Sequence, residues 1–204
     1  MLIACGRFIL YYIMYKNTIT KEEVALLPKV NFDGKITIVN TQNELHEALC
    51  ELKKCHIIGF DTETKPSFTK GAKSNGVALM QLSTEDECFL LRLNKIGVPE
   101  ELTEFIADSS VRKIGISLKD DFLILRKNYV FKPNAFVDLQ SIIADYGIEE
   151  MSLQKIYAIL FDKRISKSQR LSNWEADELS GAQQEYAAID AWACLQIFLK
   201  IKQL

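Results

Sequence analysis

The chain has 204 residues, which is enough for one domain with a proper hydrophobic core. Its hydrophobic content of 48% and charged content of 25% are ordinary for a water-soluble globular protein. The formal net charge of −2 argues against a protein that coats nucleic acid through bulk positive charge, although a local basic groove is compatible with it.

The first predicted unit is an N-terminal extension over residues 1–35. Residues 1–13 are apolar, but a membrane-spanning helix needs about 20 residues, and Arg7 interrupts the run. A polar stretch begins at Met14, so residues 1–13 are either an artefact of an upstream start or an extra strand or hydrophobic arm. The sequence therefore predicts no association with a membrane.

The second predicted unit, residues 36–204, begins with strands. A helix over 41–54 is the exception, and it opens with a capping-box pattern of Thr41 and Glu44. An acidic turn joins the last two strands into a plausible hairpin. The strands are predicted over 36–40, 56–63, 76–83 and 87–93.

In the remainder of this unit, predicted helices alternate with a strand, and the C-terminal part is helical. Residues 112–117 form the one further strand, and residues 135–147 begin extended and become helical. Consecutive strands followed by alternating strands and helices predict an α/β fold with one mixed central sheet flanked by helices. The predicted helices cover 99–108, 119–128, 151–161 and about 180 to the C-terminus.

Two carboxylates end the apolar strand IIGF at 57–60. Residues two apart on a strand point to the same face, so Asp61 and Glu63 project together. Two anions beside an apolar sheet repel each other and resist desolvation unless a cation lies between them. The alternative is that both lie beyond the strand in solvent.

Further acidic side chains lie on two later predicted helices. Asp120 and Asp121 open the helix after the strand RKIGIS, where an acid could also complement the helix N-terminus. Tyr186 and Asp190 lie four residues apart on one face of an apolar helix. An aspartate in such a helix is unusual for packing alone.

Taken in order, Asp61-x-Glu63, Asp120 and Tyr186-x-x-x-Asp190 resemble the DEDD superfamily of 3′–5′ exonucleases, in its tyrosine-bearing branch. The chain is similar to ribonuclease D and the Werner-syndrome exonuclease domain, over roughly residues 36–202. The segments VALMQLS, FVDLQ and KSQRLSNW strengthen the resemblance. It implies an RNase H-like fold.

The resemblance also implies two divalent cations, Mg²⁺ or Mn²⁺, which carboxylates suit. On the family pattern, Asp61 bridges both ions, and Glu63 and Asp190 bind the ion that activates water. Asp120 supports the second ion, and Tyr186 orients the attacking water. Asp121 is the alternative to Asp120; the spacing to the following Ile and Leu favours Asp120.

Several other residues have both a functional and a structural interpretation. Asp138 in FVDLQ is predicted to cap a strand–helix junction rather than to bind metal. Trp174 and Tyr157 could stack on a base, but core packing is favoured. Two groups of basic residues could bind phosphates, or they could be solvated charges: Lys65, Lys70 and Lys73, and Lys163, Arg164, Lys167 and Arg170.

Cysteine and histidine content narrows the alternatives. Five scattered cysteines without a CxxC pair, and only two histidines, argue against a common zinc site and predict reduced thiols in a cytoplasmic protein. No obligate protein partner is evident.

The sequence thus predicts a metal-dependent exonuclease that acts on 3′ ends of nucleic acid, with DNA slightly preferred over RNA. A catalytically inactive nucleic-acid-binding module of the same fold is the alternative. An RNase H-like endonuclease is disfavoured by the YxxxD pattern on the last helix.

Overall fold

The computed structural model describes residues 15–66 and 76–202. The predictions for residues 1–13, for Lys70 and for Lys73 fall outside these ranges. Within the described part of the chain, no helix is both long enough and apolar enough to cross a membrane.

A mixed six-stranded sheet organises the fold, as predicted. Its order is β1-β4-β3-β2-β5-β6, in which β2 pairs antiparallel with β3, and β3 with β4. The other neighbours, β1–β4, β2–β5 and β5–β6, are parallel. The strands are β1 (Lys35–Val39), β2 (Ile57–Thr64), β3 (Val77–Ser83), β4 (Glu87–Leu91), β5 (Arg112–Gly115) and β6 (Phe136–Asp138).

Helices flank the sheet. The predicted capping box at Thr41 and Glu44 is present, and a strand extending to residue 93 is wrong because a short helix begins at Leu93. The helices are α1 (Lys21–Leu26), α2 (Gln42–Leu52), α3 (Leu93–Ile96), α4 (Glu100–Ala107), α5 (Leu118–Asn128), α6 (Leu153–Phe161) and α7 (Gly181–Lys202), with 3₁₀ turns at Leu139–Ser141 and Ile143–Tyr146.

The core has a layer on each face of the sheet. Ile58 and Phe60 of β2 pack with α2, α4 and α5 on one face. Ile57 lies on the other face with apolar residues of α6 and α7. This alternation follows the two-residue period of a strand. The same period determines which helix each of the residues 61–63 faces.

Close packing of α7 on β2 depends on Gly59. A Cβ atom at this position would collide with the backbone carbonyl of Ala191. The absence of a side chain lets the helix lie directly on the strand. Consequently Asp190, the neighbour of Ala191, is brought close to the end of β2.

Candidate active site

The acidic end of β2 extends past its neighbour β5. The β2–β5 pairing ends at Gly59, opposite Ile114, whereas the pairing with β3 continues, with Asp61 opposite Gln81. By the strand period Asp61 and Glu63 face α7, and Thr62 faces α5. One edge of this part of β2 is therefore open, and two carboxylates lie at it.

Helix α7 lies opposite the acidic end of β2 and contributes two further polar side chains to the site. Tyr186 and Asp190 lie on one face, and both are nearly buried, with 9% and 6% of their surface exposed. The Tyr186 hydroxyl donates a hydrogen bond to the Asp190 carboxylate. The other carboxylate oxygen, Oδ1, has no hydrogen-bond partner among the described residues.

Three carboxylates converge where β2 and α7 meet. Oxygen atoms of Asp61, Glu63 and Asp190 all lie within 4.8 Å of one another. No lysine or arginine of the described ranges makes a salt bridge to any of them. This is the same-face pair that the sequence predicted, joined by the aspartate of the last helix.

The electrostatics of this cluster reflect burial without a counterion. Burial, and then the charge of Asp190, raises the pKa of Asp61 well above its usual range. The same two causes raise the pKa of Glu63 to about 9. Burial raises the pKa of Asp190 to about 7, although the Tyr186 hydroxyl opposes the shift. Each shift measures how strongly the site disfavours its own negative charges.

Of the two acids at the start of α5, Asp121 is the one that lies next to β2, and the choice of Asp120 as third ligand stays a prediction. Asp120 is exposed, whereas Asp121 accepts a hydrogen bond from the Thr62 hydroxyl. Burial raises the pKa of Asp121 to about 6, and its charge contributes to the raised pKa of Asp61. The two residues point in different directions because neighbours on a helix are separated by about 100°.

The basic residues divide into several groups. Lys167 and Arg170 are exposed and line the same cleft as the acids. Lys65 pairs with Glu175 at 3.0 Å, and Arg164 donates through Nε to the Leu27 carbonyl. Thus, among the described members of the predicted phosphate-binding set, Lys167 and Arg170 line the cleft that contains the acidic cluster.

The open cleft has a volume of about 390 Å³. Its far wall contains polar side chains that the sequence did not single out, including Ser117, Gln140 and Gln154, and the exposed Met151. These residues lie on the connections after β5 and β6 and at the start of α6, where no local pattern indicates a shared cleft.

Three residues pack in the core or cap the backbone, as the sequence favoured. Trp174 and Tyr157 belong to the core, with 0% and 2% exposure, and the Trp174 ring lies 6.0 Å from that of Tyr186. Asp138 is a cap: its carboxylate accepts hydrogen bonds from the backbone N–H groups of Ser117, Leu118 and Gln140.

The donor set of the cluster fits hard divalent cations. It offers carboxylate oxygens from three elements, which are the ligands that Mg²⁺ and Mn²⁺ prefer. A bound cation would also offset the burial that raises the pKa values of Asp61, Glu63 and Asp190, and the repulsion that adds to the shifts of Asp61 and Glu63.

Comparison with known proteins gives a family match over residues 36–204, to the family described as 3′-5′ exonuclease. A 3′-5′ exonuclease of Arabidopsis thaliana is 29% identical over 192 residues, covering 87% of this chain and 67% of that protein. The bifunctional 3′-5′ exonuclease/ATP-dependent helicase WRN of Mus musculus is also 29% identical, over 188 residues; the match covers 87% of this chain and 13% of that protein.

Solved structures share the fold. The Nibbler EXO domain of Aedes aegypti superposes with a TM-score of 0.74 at 24% identity, covering 82% of this chain and 87% of that one. Escherichia coli RNase D gives a TM-score of 0.72 at 20% identity, covering 83% of this chain and 46% of that one. The mixed sheet with flanking helices is therefore the predicted RNase H-like fold.

Proposed function

The chain belongs to the 3′-5′ exonuclease family, and from that premise we propose that it removes nucleotides from the 3′ ends of nucleic acid by two-metal-ion hydrolysis. Asp61, Glu63 and Asp190 hold the cations, and Asp121 supports them. The observation that carries the proposal is the convergence of the first three carboxylates within 4.8 Å without a matching protein cation in the described ranges.

The cations would supply an activated water and stabilise the leaving 3′ oxygen in an in-line displacement. Asp61 lies within 4.8 Å of both Glu63 and Asp190, and on the family pattern it would bridge two ions. Asp121 approaches from the opposite face of β2, through its contact with Thr62. The acids thus surround the open end of β2 from two sides.

Tyr186 orients the attacking water. Burial and the neighbouring Asp190 raise the pKa of its hydroxyl above the ordinary range. The hydroxyl is therefore protonated at every working pH, and it acts as a hydrogen-bond donor rather than as a base. Its bond to Asp190 holds it beside the carboxylates, which suits a positioning role.

Lys167 and Arg170 bind the phosphates of the substrate strand. Both lie on the cleft that contains the acids, and their charges lower the pKa values of Asp190 and Glu63 respectively. Contacts of this kind fix the register of a strand without reading its bases. Lys65, Lys70 and Lys73 complete the proposed phosphate contacts.

The substrate preference is for DNA over RNA, to a small degree. The names of the relatives include both nucleic acids: E. coli RNase D is an exoribonuclease, and DNA polymerase I of Aquifex aeolicus is 29% identical over 168 residues. The protein works in the cytoplasm without an obligate protein partner. The four described cysteines, which are free thiols, support that location.

A digestion panel tests this function. Single-stranded DNA, recessed duplex DNA and RNA of one sequence, each labelled at the 5′ end, are incubated with Mg²⁺ or Mn²⁺ and, as a control, with chelator. The expected products are labelled fragments that shorten progressively from the 3′ end, only with metal, and slightly faster for DNA. Oligonucleotide binding without hydrolysis of any substrate would instead favour the inactive module.

A further inference from the structure

Residues Leu27–Val30, here called the anchor segment, lie outside the family-matched region but contact the active-site side of the molecule. The Val30 N–H donates to the Arg164 carbonyl at 3.0 Å, and the Arg164 N–H donates to the Pro28 carbonyl at 2.9 Å. The Arg164 side chain adds a third bond, from Nε to the Leu27 carbonyl at 3.0 Å. Together these bonds form an isolated parallel bridge between two distant parts of the chain.

Packing reinforces this bridge. Val30 is 3% exposed and belongs to the same core cluster as Ile165 and Ile189. Lys29 pairs with Glu185 at 3.2 Å. Because Ile189 precedes Asp190 and Glu185 precedes Tyr186, the anchor segment is tied to the part of α7 that carries the active-site residues.

Arg164 is the second residue of the loop at 163–170, here called the basic loop, which contains Lys167 and Arg170. Beyond Ile165 the side-chain hydrogen bonds of the loop are local, such as that between the Ser166 and Ser168 hydroxyls at 3.1 Å. The bridge to the anchor segment therefore sets where the loop leaves the core, and this exit point determines where Lys167 and Arg170 lie relative to the cleft.

We infer that the anchor segment positions the basic loop, so that Lys167 and Arg170 face the phosphates of a strand whose 3′ end lies at the acidic cluster. The inference rests on the proposed function for the identity of the ligand. Val30 and Lys29 are positioning residues, since they act through the loop and do not touch the cleft acids. Weakening the anchor reduces strand affinity, whereas the close packing of α7 on β2 at Gly59 retains the geometry of the acids.

Val30→Ala in the full chain is the test variant, and Leu26→Ala is its matched control, because Leu26 lies on the adjacent helix and is 87% exposed. Limited trypsin digestion of the native protein, analysed by mass spectrometry, reports cleavage after Lys167 and Arg170. Cleavage after the exposed Lys54 on α2's C-terminal side serves as internal reference. Val30→Ala is expected to speed cleavage of the basic loop about tenfold, which is the factor expected for about two lost buried methyl groups.

The second readout is the affinity for a single-stranded oligonucleotide, measured with Ca²⁺ to prevent turnover. Val30→Ala is expected to weaken it about fivefold, and under turnover conditions to raise KM with kcat changed less than about twofold. Lys29→Met removes the ion pair to Glu185 without altering the core, and is expected to shift both readouts in the same direction by a smaller factor. Leu26→Ala changes neither.

The outcomes separate the anchor from the proposed function. Loop cleavage at the wild-type rate in Val30→Ala would overturn the inference, and so would faster cleavage with unchanged oligonucleotide affinity. If the wild-type protein hydrolyses nothing, yet Val30→Ala speeds loop cleavage and weakens binding, the proposed function fails and the anchor stands.

Discussion

Asp138 and Asp190 are aspartates of the same domain with opposite surroundings. Three backbone N–H groups donate to the Asp138 carboxylate, at distances from 2.9 to 3.1 Å. Asp190 accepts a bond from Tyr186, and its Oδ1 has no partner among the described residues, although two other acids lie within 4.8 Å. The first carboxylate stabilises the fold, whereas the second lacks such partners at a cost in stability and is one that we propose to hold a cation.

The largest expected effect follows from removing the central carboxylate. Asp61→Ala deletes the side chain that we propose to bridge two cations, so metal-dependent hydrolysis should fall by about 10⁴-fold or more. Single-turnover hydrolysis with saturating Mn²⁺ measures it. Hydrolysis by Asp61→Ala at the wild-type rate would show that the chemistry occurs elsewhere on the molecule.

The adjacent acids Asp120 and Asp121 of α5 allow an exposed and a partly buried carboxylate to be compared within one helix turn. Asp121 is the acid directed toward Thr62 and the cluster, so Asp121→Asn should slow hydrolysis by about 10³-fold. Asp120 is exposed, and Asp120→Asn should change the rate less than about twofold. The two variants are compared at equal metal and substrate concentrations. A large loss for Asp120→Asn alone would return the third ligand to that residue.

Tyr186 tests positioning separately from metal binding. Tyr186→Phe removes only the hydroxyl, so hydrolysis should slow about 10²-fold while metal affinity stays nearly unchanged. A calcium-supported binding titration beside single-turnover rates separates the two effects. Wild-type turnover in the Phe variant would make Tyr186 a packing residue that serves Trp174 and the surrounding core.

The pH dependence of stability is expected to be smaller and to have an unusual sign. The folded pKa values of Glu63, Asp190 and Asp121, about 9, about 7 and about 6, exceed the unfolded values of about 4. The folded metal-free protein therefore binds more protons than the unfolded chain between these limits. Its free energy of unfolding should fall as the pH rises from about 5 to about 8.

Urea unfolding in chelator at several pH values measures this dependence. Metal should reverse it, because cations displace the protons and bind more tightly as the acids ionise. The stabilisation by Mn²⁺ should accordingly grow with pH. A metal-free protein that becomes more stable across the same rise would contradict the assigned repulsion.

Part of this site was predictable from local geometry alone. The two-residue period of a strand places Asp61 beside Glu63, and the four-residue spacing on a helix places Tyr186 beside Asp190. Both rules depend only on regular elements, and the structure has those elements where the sequence predicted them. The fold followed from the order of such elements and from the family resemblance.

The rest depended on irregular or distant contacts. The junction before α5 passes through Ser117 with a left-handed φ of 58°, and this turn decides which of Asp120 and Asp121 faces the strand. The predicted helical end of residues 135–147 consists of 3₁₀ turns after a strand of three residues. Contacts between Val30 and Arg164 span more than a hundred residues, so no local pattern in the sequence indicates them.

The most direct test compares thermal unfolding of Asp190→Asn and Asp138→Asn with the wild type, in chelator and in Mn²⁺ at neutral pH. In chelator, Asp190→Asn should raise Tm by about 2–4 °C, since it removes the cost of burying a carboxylate, about 1 kcal/mol, and Asp138→Asn should lower it. Mn²⁺ should raise Tm of the wild type and of Asp138→Asn, but much less for Asp190→Asn. A lower Tm for Asp190→Asn in chelator, with no response of the wild type to Mn²⁺, would contradict a carboxylate cluster held for metal.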